Sequence, residues 1–328
     1  MKRRFGAGAA DDAGAVPFNG GAAVIAGTVA AVFADATGAL GSAVDLAARH
    51  GASELFFFCE HNTGATARRA GEFRLRVSVI DPDGDFAALE PALVAPVEAV
   101  PVELDSAAAR MRSAGLDVEW EHDVLRGEWL GLEVARAFVV DDGPQFEVGV
   151  GKHDRAANRE LYPGGPPDAF LDQTVARVRE LRCAGAPPHP ANQLASERWL
   201  RSVARRRPGL VGLGDLRAGP TPTQRVDLRQ RAVAPTWVDD GGVPTVVVFS
   251  AGVDPDLLAQ AADARLQASG WLGFPLRSSD ACPLVIVVPE GDDHPLTRRL
   301  VEELRRPARV HTVPAEWRTL DGRSAAEP

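Results

Sequence analysis

Short runs of β-branched and aromatic residues, each followed by a helical stripe, occur in the same order near both ends of this 328-residue chain. That alternation confines those ends to the α/β class, because a strand, a helix and a second strand in succession form parallel pairs with right-handed crossovers. Near the N-terminus the apolar run 28–34 (TVAAVFA) reads as a buried strand. A helix over 39–50 follows, with Leu40, Val44, Ala47 and Ala48 on one stripe and Gly51 at its C-terminal cap. Residues 54–59 (ELFFFC) form a second strand, 65–73 a second helix and 76–80 a third strand. Near the C-terminus the same order is expected as strand 245–250, helix 255–268, strand 284–288, helix 295–305 and strand 309–313.

The correspondence reaches single residues. Glu60 precedes Arg68-Arg69 by eight and nine positions, and Glu290 precedes Arg298-Arg299 by the same intervals, with Pro82 and Pro314 after the final strands. This predicts internal duplication of a three-stranded β-α-β-α-β unit. In parallel sheets ligands favour the carboxyl ends of the strands, so Asp35, Glu60, Asp254 and Glu290 are the candidate pocket residues.

The expected organisation is a disordered leader over 1–21, a first unit over 22–90, and a middle segment over 102–207. An extended linker over 208–242, a second unit over 243–317 and a disordered tail over 318–328 complete it. Pro91 to Pro101, rich in Pro, Ala and Val, separates the first unit from the middle segment. That segment has a different rhythm: helix 106–114, then strands 116–123, 128–140 and 145–151 as a β-meander, then helices 169–183 and 190–206. The fold class is therefore α/β at both ends with an α+β middle.

Net charge is −9, which argues against a generally basic nucleic-acid binder, but it is unevenly spread. Residues 170–232 hold twelve Arg and five acids, a local +7 that leaves −16 for the remainder. A basic island of this kind suits either a phosphate-bearing partner or a solvated pair of Arg-rich helices. In the helix over 192–207, Leu194, Trp199 and Val203 lie near one stripe, so Arg201, Arg205 and Arg206 are expected elsewhere, as phosphate contacts. Cys59, Cys183 and Cys282 have no metal or disulfide spacing and are expected as small buried residues. No apolar run reaches 18 residues, so no membrane span is expected and the chain reads as soluble and cytoplasmic.

Chemistry-bearing motifs are sparse. Gly149-Val150-Gly151-Lys152 lacks the upstream glycine and the Ser or Thr of a phosphate loop. His122-Asp123 and His153-Asp154 fall at strand ends, unlike the helical HD pair of phosphohydrolases, and Asp292-Asp293-His294 before Pro295 reads as helix capping. The succession helix, three strands, helix resembles the core of PD-(D/E)XK nucleases such as Holliday-junction resolvases and RecB-type domains. That resemblance implies Mg²⁺ or Mn²⁺ held by Glu133 on the second strand and Glu147 on the third, with a lysine that helps activate water. The lysine position is Gly149, and Lys152 is the nearest replacement; Arg136 is the neighbouring phosphate contact. A hairpin turning at Asp142-Gly143 places Glu133 opposite Lys152 and Glu147 on the other face, toward Arg136, while a turn one residue longer brings the glutamates together and moves the lysine away.

GLEVAR, EVGVGKHDR and APPHP, in a composition rich in Ala, Gly, Pro and Arg, are similar in style to conserved proteins of high-GC actinobacteria, a resemblance that implies no mechanism. Two functional expectations follow. The first is a nuclease-like protein, catalytically active or degenerate, that contacts nucleic acid through the middle segment. The second is a non-enzymatic ligand-sensing or protein-interaction module built on the two α/β units, with a homodimer as one arrangement.

Overall fold

A computed structural model of the chain describes residues 15–18, 20–34, 38–82, 87–183, 185–186, 189–222, 232–273 and 282–321. The fold is mixed α/β, with three sheets and eight α-helices among these residues. They fall into two compact units, one drawn from Met1–Ala95, Val253–Ile286 and Asp292–Val310, the other from Pro96–Gly252, Val287–Gly291 and His311–Pro328. All three cysteines are buried and free, and no described helix is long and apolar enough to cross a membrane.

The first unit contains a five-stranded sheet in sequence order: β1 (Ala15–Phe18), β2 (Gly21–Ala26), β3 (Val29–Ala34), β4 (Glu54–Phe58) and β5 (Arg76–Ile80). The first three strands pair antiparallel, and β3, β4 and β5 are parallel. The crossovers are α1 (Leu40–Arg49) and α2 (Thr63–Ala70). Gly51 ends α1 in the left-handed region at φ +69°, and the N–H groups of Gly51 and Ala52 close back on the carbonyls of Ala48 and Ala47. The sheet is larger than expected, because β1 and the first residue of β2 lie within the expected disordered leader, and the rest of β2 lies ahead of the first expected strand. GAAVIA is small and Gly-rich enough to read as linker, yet Ala23 is fully buried and Gly27 (φ +59°) turns β2 into β3.

Helices from the far end of the chain complete this unit: α7 (Leu257–Trp271) and α8 (Pro295–Glu302). Twelve of the fifteen α7 residues are buried, so it is apolar on nearly every side. Carboxylates with little exposure tie these segments together. Asp263 of α7 accepts from Arg68 and Arg69 of α2 at 2.7 and 2.9 Å, Asp45 of α1 accepts from Arg299 of α8 at 2.7 Å, and Glu72 accepts from Arg306 at 2.5 Å.

The second unit contains a four-stranded antiparallel meander: β6 (Asp117–Glu121), β7 (Val124–Trp129), β8 (Leu132–Val140) and β9 (Gly143–Val148). The expected strand over 128–140 is thus two strands. Leu130 and Gly131 both take positive φ (+47° and +75°) and form a two-residue hairpin turn, and a Cβ on Gly131 would overlap the backbone of Arg198. One face of the sheet is apolar (Leu125, Trp129, Ala135, Ala137, Val148) and is covered by α3 (Asp105–Ser113) and α5 (Asp168–Leu181). Two further helices are α4 (Gly151–Leu161), where the sequence predicts a strand end and loop, and α6 (Ser196–Arg206), whose first turn begins later than expected.

The third sheet runs β10 (Arg217–Ala218), β11 (Ala234–Asp240), β12 (Val243–Phe249), β13 (Leu284–Pro289) and β14 (Arg309–Val313). The stretch expected as linker therefore carries two strands, and β11 pairs antiparallel with β12. The anticipated tail begins with a 3₁₀ turn, Trp317–Asp321, in which Trp317 is buried edge-on against Trp199 with ring centroids 5.8 Å apart.

Candidate functional site

Hydrophobic alternation explains one face of the meander; the other face is charged and buried. Asp117, Glu119 and Glu121 alternate along β6, and Glu119 stands opposite Arg126 while Asp117 stands opposite Glu128. The β8–β9 hairpin turns at Asp141-Asp142, one residue earlier than expected, so Arg136 faces Glu147 directly. Regular alternation along β8 would then put Glu133 on the apolar face. A β-bulge at Val134 prevents this: Gly127 pairs with Ala135 but Glu128 pairs with Glu133, skipping one residue. Glu133 therefore joins Glu147, Arg126 and Arg136 on the charged face.

Two helices supply the counter-charges. On α6, Arg198, Arg201 and Arg205 fall on one side; Arg198 bridges Glu121 and Glu128, Arg201 reaches Glu128 at 3.0 Å, and Arg205 pairs with Glu119. On α4, Arg155 spans Glu133 (2.9 Å) and Glu147 (3.8 Å), and Arg159 pairs with Glu147. Arg126 takes the second oxygen of Glu133, and Arg136 takes the second oxygen of Glu147 at 2.7 Å. Burial pushes the Glu121 carboxyl up, but Arg198 and Arg201 outweigh it and hold the group well below the ordinary range. Glu128 goes the other way, raised by burial despite the same two arginines, with Glu121 and Glu119 adding to the rise.

This geometry relocates several expected site residues. Glu133 and Glu147 do share a face, but both oxygens of each are within ion-pair distance of a guanidinium. Lys152 lies exposed in the first turn of α4, not on the hairpin strand. Arg201 is only 2 % exposed and is engaged by the sheet acids, so it is not a surface phosphate contact; Arg205 is committed to Glu119 and Arg206 to Asp117 at 2.8 Å. The basic island is therefore matched, across α6, by the acids of β6 and β7. Among the described residues no three His, Cys, Asp or Glu side chains gather at metal-binding distance.

The first unit offers a different kind of site. A cavity of about 380 Å³ opens at the carboxyl ends of β3 and β4, above the first turns of α1 and α2. Phe33, Phe58, Cys59, Thr66, Arg69 and Asp256 line it, and Phe33 stacks on Phe58 with centroids 4.5 Å apart. Asp256, just ahead of α7, accepts the Gly41 N–H at 2.7 Å; Gly41 has to be glycine because a Cβ would overlap the Pro255 carbonyl. Burial, with Asp254 nearby, pushes the Asp256 carboxyl up to about 6. Burial also raises the Cys59 thiol. Of the expected pocket residues, Glu60 lies exposed on the cavity rim, while Asp254 caps the chain ahead of α7 by accepting the Asp256 N–H at 2.9 Å. Glu290 is exposed beyond β13, and Asp35 lies outside the described residues.

Asp256, Arg155, Arg159 and Glu128 are not among the site residues the sequence predicts, and Arg69 is predicted only as a marker of the repeat. An i, i+4 pair of arginines in HDRAANRE was the available signal for Arg155 and Arg159, but it has meaning only on a helix. No protein-family model matches the chain, and no curated protein sequence matches it either.

Proposed function

We propose that this is a non-catalytic binding protein that recognises a small molecule in the cavity of its first unit. The observation that carries the reading is Asp256: a carboxyl 5 % exposed, on a cavity wall with aromatic surface, and raised to about 6. Perturbed acids beside concave, partly apolar cavities are where ligands are most often held. The chemistry suits a compact planar molecule that lies along Phe33 and Phe58 and offers an N–H or O–H donor to Asp256. The test is a thermal-shift screen of nucleosides, aromatic amines and amides on the full chain, followed by mass-spectrometric timing of Cys59 alkylation. A true ligand raises the melting temperature, slows Cys59 modification and loses both effects in Asp256→Ala. A screen without any such compound rejects the proposal.

The nuclease-like reading draws support from one observation, the placement of Glu133 and Glu147 on a single face. It requires a divalent cation to displace guanidinium groups from both carboxylates. Mg²⁺- or Mn²⁺-dependent cleavage of DNA or RNA that disappears in Glu133→Ala would favour it over the binding reading.

A further inference from the structure

The charged face of the meander is unevenly balanced. Toward β6, Glu121 and Glu128 meet Arg198 and Arg201, two carboxylates to two guanidiniums. Toward the edge strand β9, Glu133 and Glu147 meet Arg126, Arg136, Arg155 and Arg159, two carboxylates to four, with Arg126 shared with Glu121 at 3.6 Å. Of the four, Arg126 and Arg155 are buried while Arg136 and Arg159 reach solvent, and buried positive charge is costly unless something anionic joins it. Arg155 bears this out locally. It is 8 % exposed, and its Nε, 3.8 Å from Glu147, is a buried donor without an acceptor. Burial, with Arg136 and Arg126 close by, outweighs the pull of Glu133 and lowers its pKa.

The surplus borders a cavity. About 380 Å³ of space wraps the edge of β9 between α3 and α4, and its wall includes Arg110, Phe146, Glu147, Arg155, Arg159 and Tyr162. Arg110 arrives from α3, pre-oriented by Asp168 (2.7 Å) and the Pro166 carbonyl (2.8 Å) and lying 4.1 Å over the Phe146 ring. Arg159 arrives from α4 with 61 % of its side chain exposed. We propose that this cavity binds the oxyanion group of a small organic molecule, a phosphate or carboxylate, between Arg110, Arg155 and Arg159, with the molecule's apolar part against Phe146 and Tyr162. Guanidinium groups suit such groups because their planar forks match oxyanion geometry. Glu103, exposed at the mouth, disfavours an extended polyanion and favours one compact charge.

The proposal is independent of the first-unit cavity, and its test keeps the two apart. Calorimetric titrations of the full chain with phenyl phosphate, inorganic phosphate and succinate, at ionic strength matched with sodium chloride, read it directly. Saturable binding of at least one of them is expected, weakened tenfold or more in both Arg159→Gln and Arg110→Gln and unchanged in Asp256→Asn. Phenyl phosphate preferred over succinate assigns a phosphate ligand, and the reverse assigns a carboxylate. Because Arg159 is largely exposed, Arg159→Gln should melt within a few degrees of the parent, which separates lost binding from lost folding. Absence of saturable binding to all three, binding indifferent to both substitutions, or salt-sensitive oligonucleotide binding in place of small-anion binding overturns it.

Discussion

At the scale of single residues, the buried charges make opposite demands on pH and on their partners. Folding favours the protonated form of Asp256, since its carboxyl rises from the ordinary aspartate range to about 6. The contribution of this group is therefore fully present below about pH 4 and is lost as pH rises through about 6. Asp256→Asn, which keeps an oxygen for the Gly41 N–H, should gain on the parent between about pH 4 and 6 and hold a constant advantage above, at most about 3 kcal/mol. Urea denaturation across that range checks it; a constant difference at all pH values would refute the assignment. Arg198 is the opposite case. Removing it leaves Glu121 and Glu128 short of a counter-charge inside the protein, so Arg198→Ala should cost about 3–5 kcal/mol. Arg205→Ala, at a partly exposed pair, should cost well under half of that in the same experiment.

At the scale of elements, the bulge in β8 decides which side chains meet. Inserting one residue between Gly127 and Glu128, opposite Val134, gives the bulged residue a partner, turns Glu128 and Glu133 toward the apolar face and leaves Arg126 without Glu133. The expected result is a loss of several kcal/mol, or failure to fold, read by circular dichroism and denaturation; a variant as stable as the parent would mean that the bulge does not set the register. Element type was legible wherever periodicity was strong. The runs around Val29–Ala34, Glu54–Phe58 and Leu284–Pro289 and the stripes of α1, α7 and α8 all appear near their expected positions. The misses have physical causes. Four of the six β2 residues are Gly or Ala, whose small side chains give little strand signal until neighbours bury them. The Leu130-Gly131 turn lacks the usual Asn or Asp, and LEVARAF contains nothing that marks Val134 as a bulge. The arginines of α6 looked solvated because helical periodicity assigns charge to the outside, whereas here a complementary acidic sheet receives them.

At the scale of the whole molecule, the first unit is assembled from stretches far apart in the chain, with most of the second unit's residues between them in sequence. Asp263 and Arg299, which hold α2 and α1, come from α7 and α8, more than 190 residues downstream of their partners. A chain ending at residue 252 should therefore leave residues 15–95 without their covering helices, and limited proteolysis should cut there rapidly in the truncated chain and slowly in the full one. Equal protection in the two chains would show that the first sheet is stable on its own. The same discontinuity bears on biosynthesis. At elongation rates of about 5–20 residues per second, strands β1 to β5 leave the ribosome on the order of ten seconds or more before α8 does. During that interval their apolar surface has to be shielded by a chaperone or by transient collapse, so the newborn chain is most vulnerable to aggregation well before synthesis ends.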